Sequence, residues 1–393
     1  MLSLPTNTIL LQNKSYKEEK SLNYMFIYIL ISLFAFTMSA ICGFIMIPQI
    51  LLFCRKKKLY DAPNARKVHK NATPRLGGVS FLPSMLIASI VALLVWTYTN
   101  KGTKIAVSPW SIFFGVGITI IYLTGLIDDI FGIRARMKLL MQVIAASLLP
   151  ISYLYINNLY GFLNIEELPM VVGMLLTVGI LVFVMNAINL IDGIDGLSAS
   201  LVLIALCGLF FLFLRESIGI YCILIAGLMG VLVPFLYHNL FGSAEDGQKI
   251  FMGDSGSLTL GYILGVLMVK FCMYNPHVMP YQKDSILLSV TLLLVPVFDV
   301  FRVIIVRLIH REPLFRPDKN HIHHKLMRAG LTQRQTLISI LLLAMTFILI
   351  NTLLFNHLLV TWIIAIDIIG YIALNYILDI RIKRNGLSPF QAE

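Results

Sequence analysis

The sequence predicts an all-α fold: a polytopic integral membrane protein of about eleven transmembrane helices, N-terminus outside and C-terminus cytoplasmic. Three observations carry this. The chain is 58% hydrophobic and 13% charged, whereas soluble domains are about 45–50% apolar and about 25% charged. Apolar runs of about 20 residues, the length that crosses the hydrocarbon of a bilayer, recur from end to end. Lys and Arg divide 21 against 7 between alternate connections when the segment "RKKKLYDAPNARKVHKNATPRLGG" is placed in the cytoplasm, which is the bias of the positive-inside rule.

In chain order the apolar runs start near Met25, Val79, Trp110, Leu139, Met170, Leu197, Ile218, Ser257, Ser285, Thr336 and Leu358. Residues 1–24 form a polar N-terminal tail of mixed charge, and Met25 is an alternative start. The first run is long and lacks a small-residue cleavage site, so it is expected to remain as a signal-anchor. Residues 25–384 make one transmembrane domain, and 385–393 a C-terminal tail. The connections near Arg215 and Asn356 are short, and the runs flanking each are counted as separate helices. No strand is required, because helices satisfy their own backbone in lipid.

Composition also excludes. The five Cys (Cys42, Cys54, Cys207, Cys222 and Cys272) lie in or beside apolar runs without paired spacing, and read as small hydrophobes rather than disulfides or metal ligands. The net charge of +11 fits cytoplasmic loops. No nucleic-acid-binding motif accompanies the basic runs, and no nucleic acid partner is expected. The run at 55–58 reads as a solvated basic face able to meet anionic lipid.

With this topology the polar clusters fall on one face. They are "KVHKNATPRLGG", "GLIDDIFGIRARMK", "NAINLIDGIDGLSAS" with "IFMGDSGSLTLGY", and "RPDKNHIHHKLMRAG". Asp128 and Asp129 close one span, and Asp254 opens another. Asp192 and Asp195, three apart, are expected to share a face of a helical turn. Carboxylates are costly near lipid. Five of them beside Gly-rich turns point to a hard cation, since Mg²⁺ takes oxygen ligands and shares the rest with water and phosphate. Gly193, Gly196, Gly253, Gly256, Gly77 and Gly78 allow backbone N–H groups to approach a phosphate, whereas Gly115, Gly117 and Gly261 read as helix packing. Zinc at "HIHH" is the rival metal reading, disfavoured by the absence of nearby Cys. A transporter and a membrane phosphatase are the rival functions. A transporter would place its acids near the midplane and show internal repeats, and neither feature is seen.

Four motifs in order, "TGLIDDIFGI", "NAINLIDGIDGL", "FMGDSGSLTLG" and "DKNHIHHKL", resemble those of the polyprenyl-phosphate N-acetylhexosamine-1-phosphate transferases of glycosyltransferase family 4. These are polytopic relatives of the phospho-MurNAc-pentapeptide transferase. The resemblance covers roughly Leu59 to Leu331. It implies that undecaprenyl phosphate attacks the β-phosphorus of a UDP-sugar, that UMP leaves, and that Mg²⁺ or Mn²⁺ neutralises the diphosphate. By motif position it makes Asp128 and Asp129 the essential acid pair, with Asp128 accepting or orienting the lipid-phosphate proton. Asn189 and Asp254 match metal-binding positions, and Asp192 and Asp195 shape the nucleotide and metal pocket. Lys70, Thr73, Asn186, His321, His323 and His324 are assigned to substrate. The peptidoglycan branch carries three consecutive His and "TPTMGG". Here stand "HIHH" and "TPRLGG", which point to UDP-GlcNAc or a close HexNAc in the bacterial plasma membrane. Direct in-line attack is favoured over an aspartyl-phosphate route. The partners implied are the UDP-sugar, undecaprenyl phosphate, membrane lipid and a second copy in a homodimer.

Overall fold

The computed structural model describes residues 6–60, 73–99, 108–313 and 319–390, with side chains from Met25 onward. Lys70 lies outside the described residues. Among those described there are thirteen α-helices and no β-sheet. They are α1 (Thr6–Lys57), α2 (Phe81–Thr99), α3 (Pro109–Phe131), α4 (Ala135–Ile151), α5 (Met170–Ile191), α6 (Leu197–Arg215), α7 (Gly219–Leu236), α8 (Gly253–Cys272), α9 (Ser285–Leu292), α10 (Leu294–His310), α11 (Ile322–Arg328), α12 (Gln333–Leu354) and α13 (Val360–Arg384).

All eleven apolar runs are helical. Nine of the described helices are long and apolar enough to cross a membrane, and the chain is a multi-pass membrane protein. The two runs that fall short are α4 and the α9–α10 pair. The pair is one apolar run broken at Leu293 (φ −111°, ψ 9°). Pro296 follows at once, in the first turn of α10, where its missing N–H has no helical partner to lose. The short connections are real breaks. Ser217 sits at φ 58° between α6 and α7, and Arg215 is anchored there by Asp284 at 2.7 Å and Glu216 at 2.9 Å.

The hub is α8. Every residue from Ser255 to Cys272 is buried, so a single helix is enclosed by protein throughout its length. Most other helices turn large apolar side chains outward, among them Leu94, Ile112, Leu175, Leu349 and Ile369. Such a belt is unfavourable in water and suits contact with lipid. Gly117 and Gly261 do pack, against Tyr262 and the Met185 backbone, but nothing stands within 4 Å of the Cβ position at Gly115. That glycine is not a packing contact.

Of the four apolar clusters among the described residues, two make up most of the interior. The larger surrounds α8. The smaller joins Ile191, Ile194, Leu197 and Leu201 to apolar residues of α10 to α13, including Leu294, Ile322, Ile340, Tyr371 and Leu378. The smaller core presses the histidine segment against the link between α5 and α6.

That link corrects one expectation. Asp192 and Asp195 do not share a helical turn. Helix α5 stops at Ile191, Asp192 takes φ −75°, ψ 55°, and Gly196 enters α6 from φ 72°. Gly193 and Gly196 each disfavour helix by about 1 kcal/mol. The Gly196 amide is instead held by Asn239 Oδ1 at 2.6 Å.

Candidate active site

The site is assembled where the ends of α3 and α5 meet the starts of α4 and α8. Asp128 lies in the last turn of α3. Its Oδ1 accepts from the Ile133 amide at 2.5 Å, across the turn made by Gly132. Its Oδ2 lies 2.7 Å from Lys138 Nζ. Asp129, its neighbour, turns the other way. Its Oδ1 accepts from the Asp254 amide at 2.8 Å and its Oδ2 from the Ser255 amide at 2.9 Å. Asp129 therefore caps the N-terminus of α8, where unpaired amides and the helix dipole favour a carboxylate.

Gly253 is required at this junction. It stands at φ 73°, and a Cβ there would meet Arg75 O at 2.0 Å and Asp129 Oδ2 at 2.6 Å. The segment "TPRLGG" lies alongside: Phe251 N donates to Pro74 O at 2.7 Å, and the Gly77 and Gly78 amides donate to Phe251 O and Met252 O. Thr73 is buried in this segment.

Asp254 also reaches Lys138, whose ammonium thus lies between the Asp128 and Asp254 carboxylates. Asn189 Nδ2 donates to Asp254 Oδ1 at 2.9 Å and to Ser257 Oγ at 2.8 Å. One turn away, Asn186 Nδ2 donates to Gln142 Oε1 at 2.6 Å, tying α5 to α4. Asp192 caps the end of α5. Burial, then the neighbouring carboxylates of Asp254, Asp195 and Asp129, push its carboxyl up to about 7. Asp195 pairs with Lys249 at 2.6 Å.

Among the described residues no group of three or more His, Cys, Asp or Glu is placed to hold a metal ion. The oxygen donors nonetheless fit a hard cation. Two carboxylates from different helices converge on one positive charge, with an Asn amide beside them, and Mg²⁺ needs only one or two protein carboxylates when phosphate and water complete its shell. The histidines are engaged with Asp299 and with one another. His321 Nδ1 is bonded to Asp299 Oδ2 at 2.8 Å, and His321 and His323 stack with centroids 6.0 Å apart. His323 is buried, and that burial, with His324 and His321 beside it, holds it well below the usual histidine range. A Cβ on Gly193 would lie 2.1 Å from His323 Nε2, so the histidine segment rests on the link that carries Asp192 and Asp195.

Of the residues named from the sequence, Asp128, Asp129, Asp254 and Asn189 stand together as neighbours. Sequence reasoning missed Lys138, Lys249, Asp299 and Arg302. Lys138 carried a signal: with Arg134 and Arg136 it places three cations at the start of an apolar run, just after the Asp128–Asp129 pair. So did Asp299 and Arg302, an acid and a base three apart inside another.

The site thus joins carboxylates from two helices to one lysine at the ends of membrane-type helices. Residues 111–272 match the model of glycosyl transferase family 4. The chain is 32% identical over 322 residues to a protein of Bacillus subtilis (strain 168) named probable undecaprenyl-phosphate N-acetylglucosaminyl 1-phosphate transferase, covering 80% of this chain and 82% of that one. It is 33% identical over 298 residues to the decaprenyl-phosphate N-acetylglucosaminephosphotransferase of Mycolicibacterium smegmatis, covering 71% of each. With the undecaprenyl-phosphate alpha-N-acetylglucosaminyl 1-phosphate transferase of Escherichia coli K12 it shares 28% over 347 residues, 86% of each. The chain belongs to glycosyl transferase family 4.

Proposed function

We propose that the protein transfers N-acetylglucosamine 1-phosphate from UDP-GlcNAc to undecaprenyl phosphate and releases UMP, initiating a cell-surface polysaccharide. The observation that carries the reading is the Asp128–Lys138–Asp254 cluster at one end of the helices, in a chain whose relatives are named for this transfer.

A phosphate oxygen of the lipid attacks the β-phosphorus of the donor in line. The bond from that phosphorus to the bridging oxygen breaks, and UMP leaves with the electron pair. Lys138 faces negative charge as it redistributes. Asp128 orients the lipid phosphate and accepts its proton when it arrives protonated. A divalent cation held by Asp254 and Asn189 beside Asp128 would neutralise the diphosphate. A cleft of about 350 Å³, lined by Arg55, Tyr60, Thr73, Asp246, Gly247 and Lys249, opens beside Asp195 and suits the nucleotide half of the donor.

Counted with α4 and α9–α10 the crossings number eleven, which sets the two termini on opposite sides, and the Lys/Arg bias favours an N-terminus outside and a site in the cytoplasm, where nucleotide sugars are made. The membrane is the bacterial plasma membrane. The test is to incubate membranes with sugar-labelled UDP-GlcNAc and undecaprenyl phosphate. Label in lipid with equimolar UMP supports the transfer. Inorganic phosphate without labelled lipid would mean a phosphatase, and label trapped unchanged inside vesicles a transporter.

A further inference from the structure

We propose that Asp299 is the positioning residue of the histidine segment: it holds His321 in the tautomer protonated at Nδ1, so that Nε2 is the nitrogen offered to the substrate. This rests on the reading that the histidine segment serves the transfer.

Asp299 is fully buried on α10. Its carboxylate faces four donors from three directions. Oδ2 accepts from His321 Nδ1 at 2.8 Å, and Oδ1 from the Ile322 amide at 2.9 Å and Arg302 Nη2 at 2.9 Å. The Tyr371 hydroxyl, on α13, stands 3.4 Å away. Arg302 also donates to the Asn320 carbonyl. Asp299 thus grips both the ring of His321 and the backbone that carries it into α11.

The charges decide the tautomer. Arg302 neutralises Asp299, so the carboxylate remains ionised without needing an imidazolium. An ionised carboxylate accepts only, so the ring nitrogen facing it must carry hydrogen. In the neutral ring Nε2 then holds the lone pair. In the cationic ring it is the one N–H still free for a phosphate oxygen. Among the described residues, the other charged and titratable groups around the ring are Arg302 on α10, His323 and His324 on its own segment, and Tyr371 on α13. None of them presents a second carboxylate to His321.

A burial this costly is not explained by stability. A buried ion pair is commonly matched by apolar side chains of similar volume. What apolar packing cannot do is select between two nitrogens of one ring. The segment is clamped from its other side as well. Lys325 Nζ meets Asp379 Oδ1 at 2.6 Å and Asn375 Oδ1 at 3.2 Å. Tyr371, Asn375 and Asp379 recur every four residues, so one face of α13 backs the whole segment.

The experiment has a readout apart from activity. In protein labelled with ¹⁵N-histidine, the His321 signals are assigned by their loss in His321→Gln. In the spectrum of the neutral ring they should show hydrogen on Nδ1. Hydrogen on Nε2 overturns the proposal whether or not any other variant folds. Asp299→Asn should lower kcat/KM by about 10- to 100-fold, the usual cost of losing an orienting partner of a functional histidine. Asp299→Asn combined with His321→Gln should be no worse than His321→Gln alone. Full additivity would assign Asp299 a role independent of the ring and overturn the proposal, as would full activity of His321→Gln. Should the unmodified protein release no UMP from UDP-GlcNAc, the transfer reading fails while the tautomer measurement still stands.

Discussion

Asp129 holds the amide of Asp254: its Oδ1 accepts from Asp254 N at 2.8 Å, while its Oδ2 takes the next amide, Ser255 N, at 2.9 Å. The two adjacent acids of "IDDI" therefore do different work. Asp129 builds the start of α8, and Asp128 faces Lys138.

This separation is measurable. Asp129→Ala removes a helix cap and should cost about 1–2 kcal/mol of stability, the upper part of the range for such caps. Its thermal unfolding midpoint in detergent should fall below that of Asp128→Asn, which should stay near the unmodified protein. The opposite order would show that Asp128 carries the structural role.

Activity should sort differently. Asp128→Asn and Asp254→Asn should each lower turnover at least about a hundredfold, with unchanged membrane insertion, as expected for groups acting on a transferring phosphoryl. Asp284→Asn is the control. It breaks an ion pair with Arg215 far along the chain from the site and should cost little, since partly exposed pairs contribute about 0–1 kcal/mol. Comparable loss at Asp284 would mean that turnover reports general fragility.

Excess EDTA should abolish the transfer, and Mg²⁺ or Mn²⁺ should restore it. Lys138 competes with a cation for the Asp128 and Asp254 carboxylates. Lys138→Gln should therefore lower the Mg²⁺ concentration giving half-maximal binding, even where kcat falls. An unchanged or raised concentration would place the cation elsewhere.

The pH profile should carry the signature of Asp192. Its carboxyl is pushed up to about 7 by burial and by Asp254, Asp195 and Asp129. It is thus neutral below that pH and ionised above. Protons and a divalent cation compete for the ionised form. kcat/KM should rise through about pH 7, the limb should move to lower pH as Mg²⁺ is raised, and Asp192→Asn should remove it. A limb indifferent to Mg²⁺ would detach Asp192 from the cation.

Sidedness is tested by thiol labelling in a background lacking the five native Cys. Asn320 is a poor probe because it is buried. Ala135 and Ile165 are exposed at opposite ends of the α4 segment. Ala135→Cys should resist an impermeant reagent in intact cells and react after lysis, and Ile165→Cys should label from outside. Reversal would turn the site away from cytoplasmic UDP-sugar.

The sequence by itself determined the class of molecule. Run length, low charge and the Lys/Arg bias are properties of contiguous residues, and all eleven runs proved helical. The motifs were equally legible, since Asp128, Asp129, Asn189 and Asp254 stand in short recognisable strings. Only the tertiary structure decided their division of labour. Whether Asp128 or Asp129 reaches α8 depends on how α3 is rotated against it. Lys138 becomes part of the site only because α4 folds back along α3. The helical periodicity of Asp192 and Asp195 failed for a local reason, Gly193 between them and Gly196 before α6. Asp299 was hidden for a global one: hydrogen bonds to His321 and Tyr371 join α10, the histidine segment and α13 across long stretches of chain. Hydrophobicity places a helix in the membrane, but it is indifferent to which polar atoms of neighbouring helices will meet. That choice is made by packing, because a buried charge must find its partners wherever the close-packed helices present them.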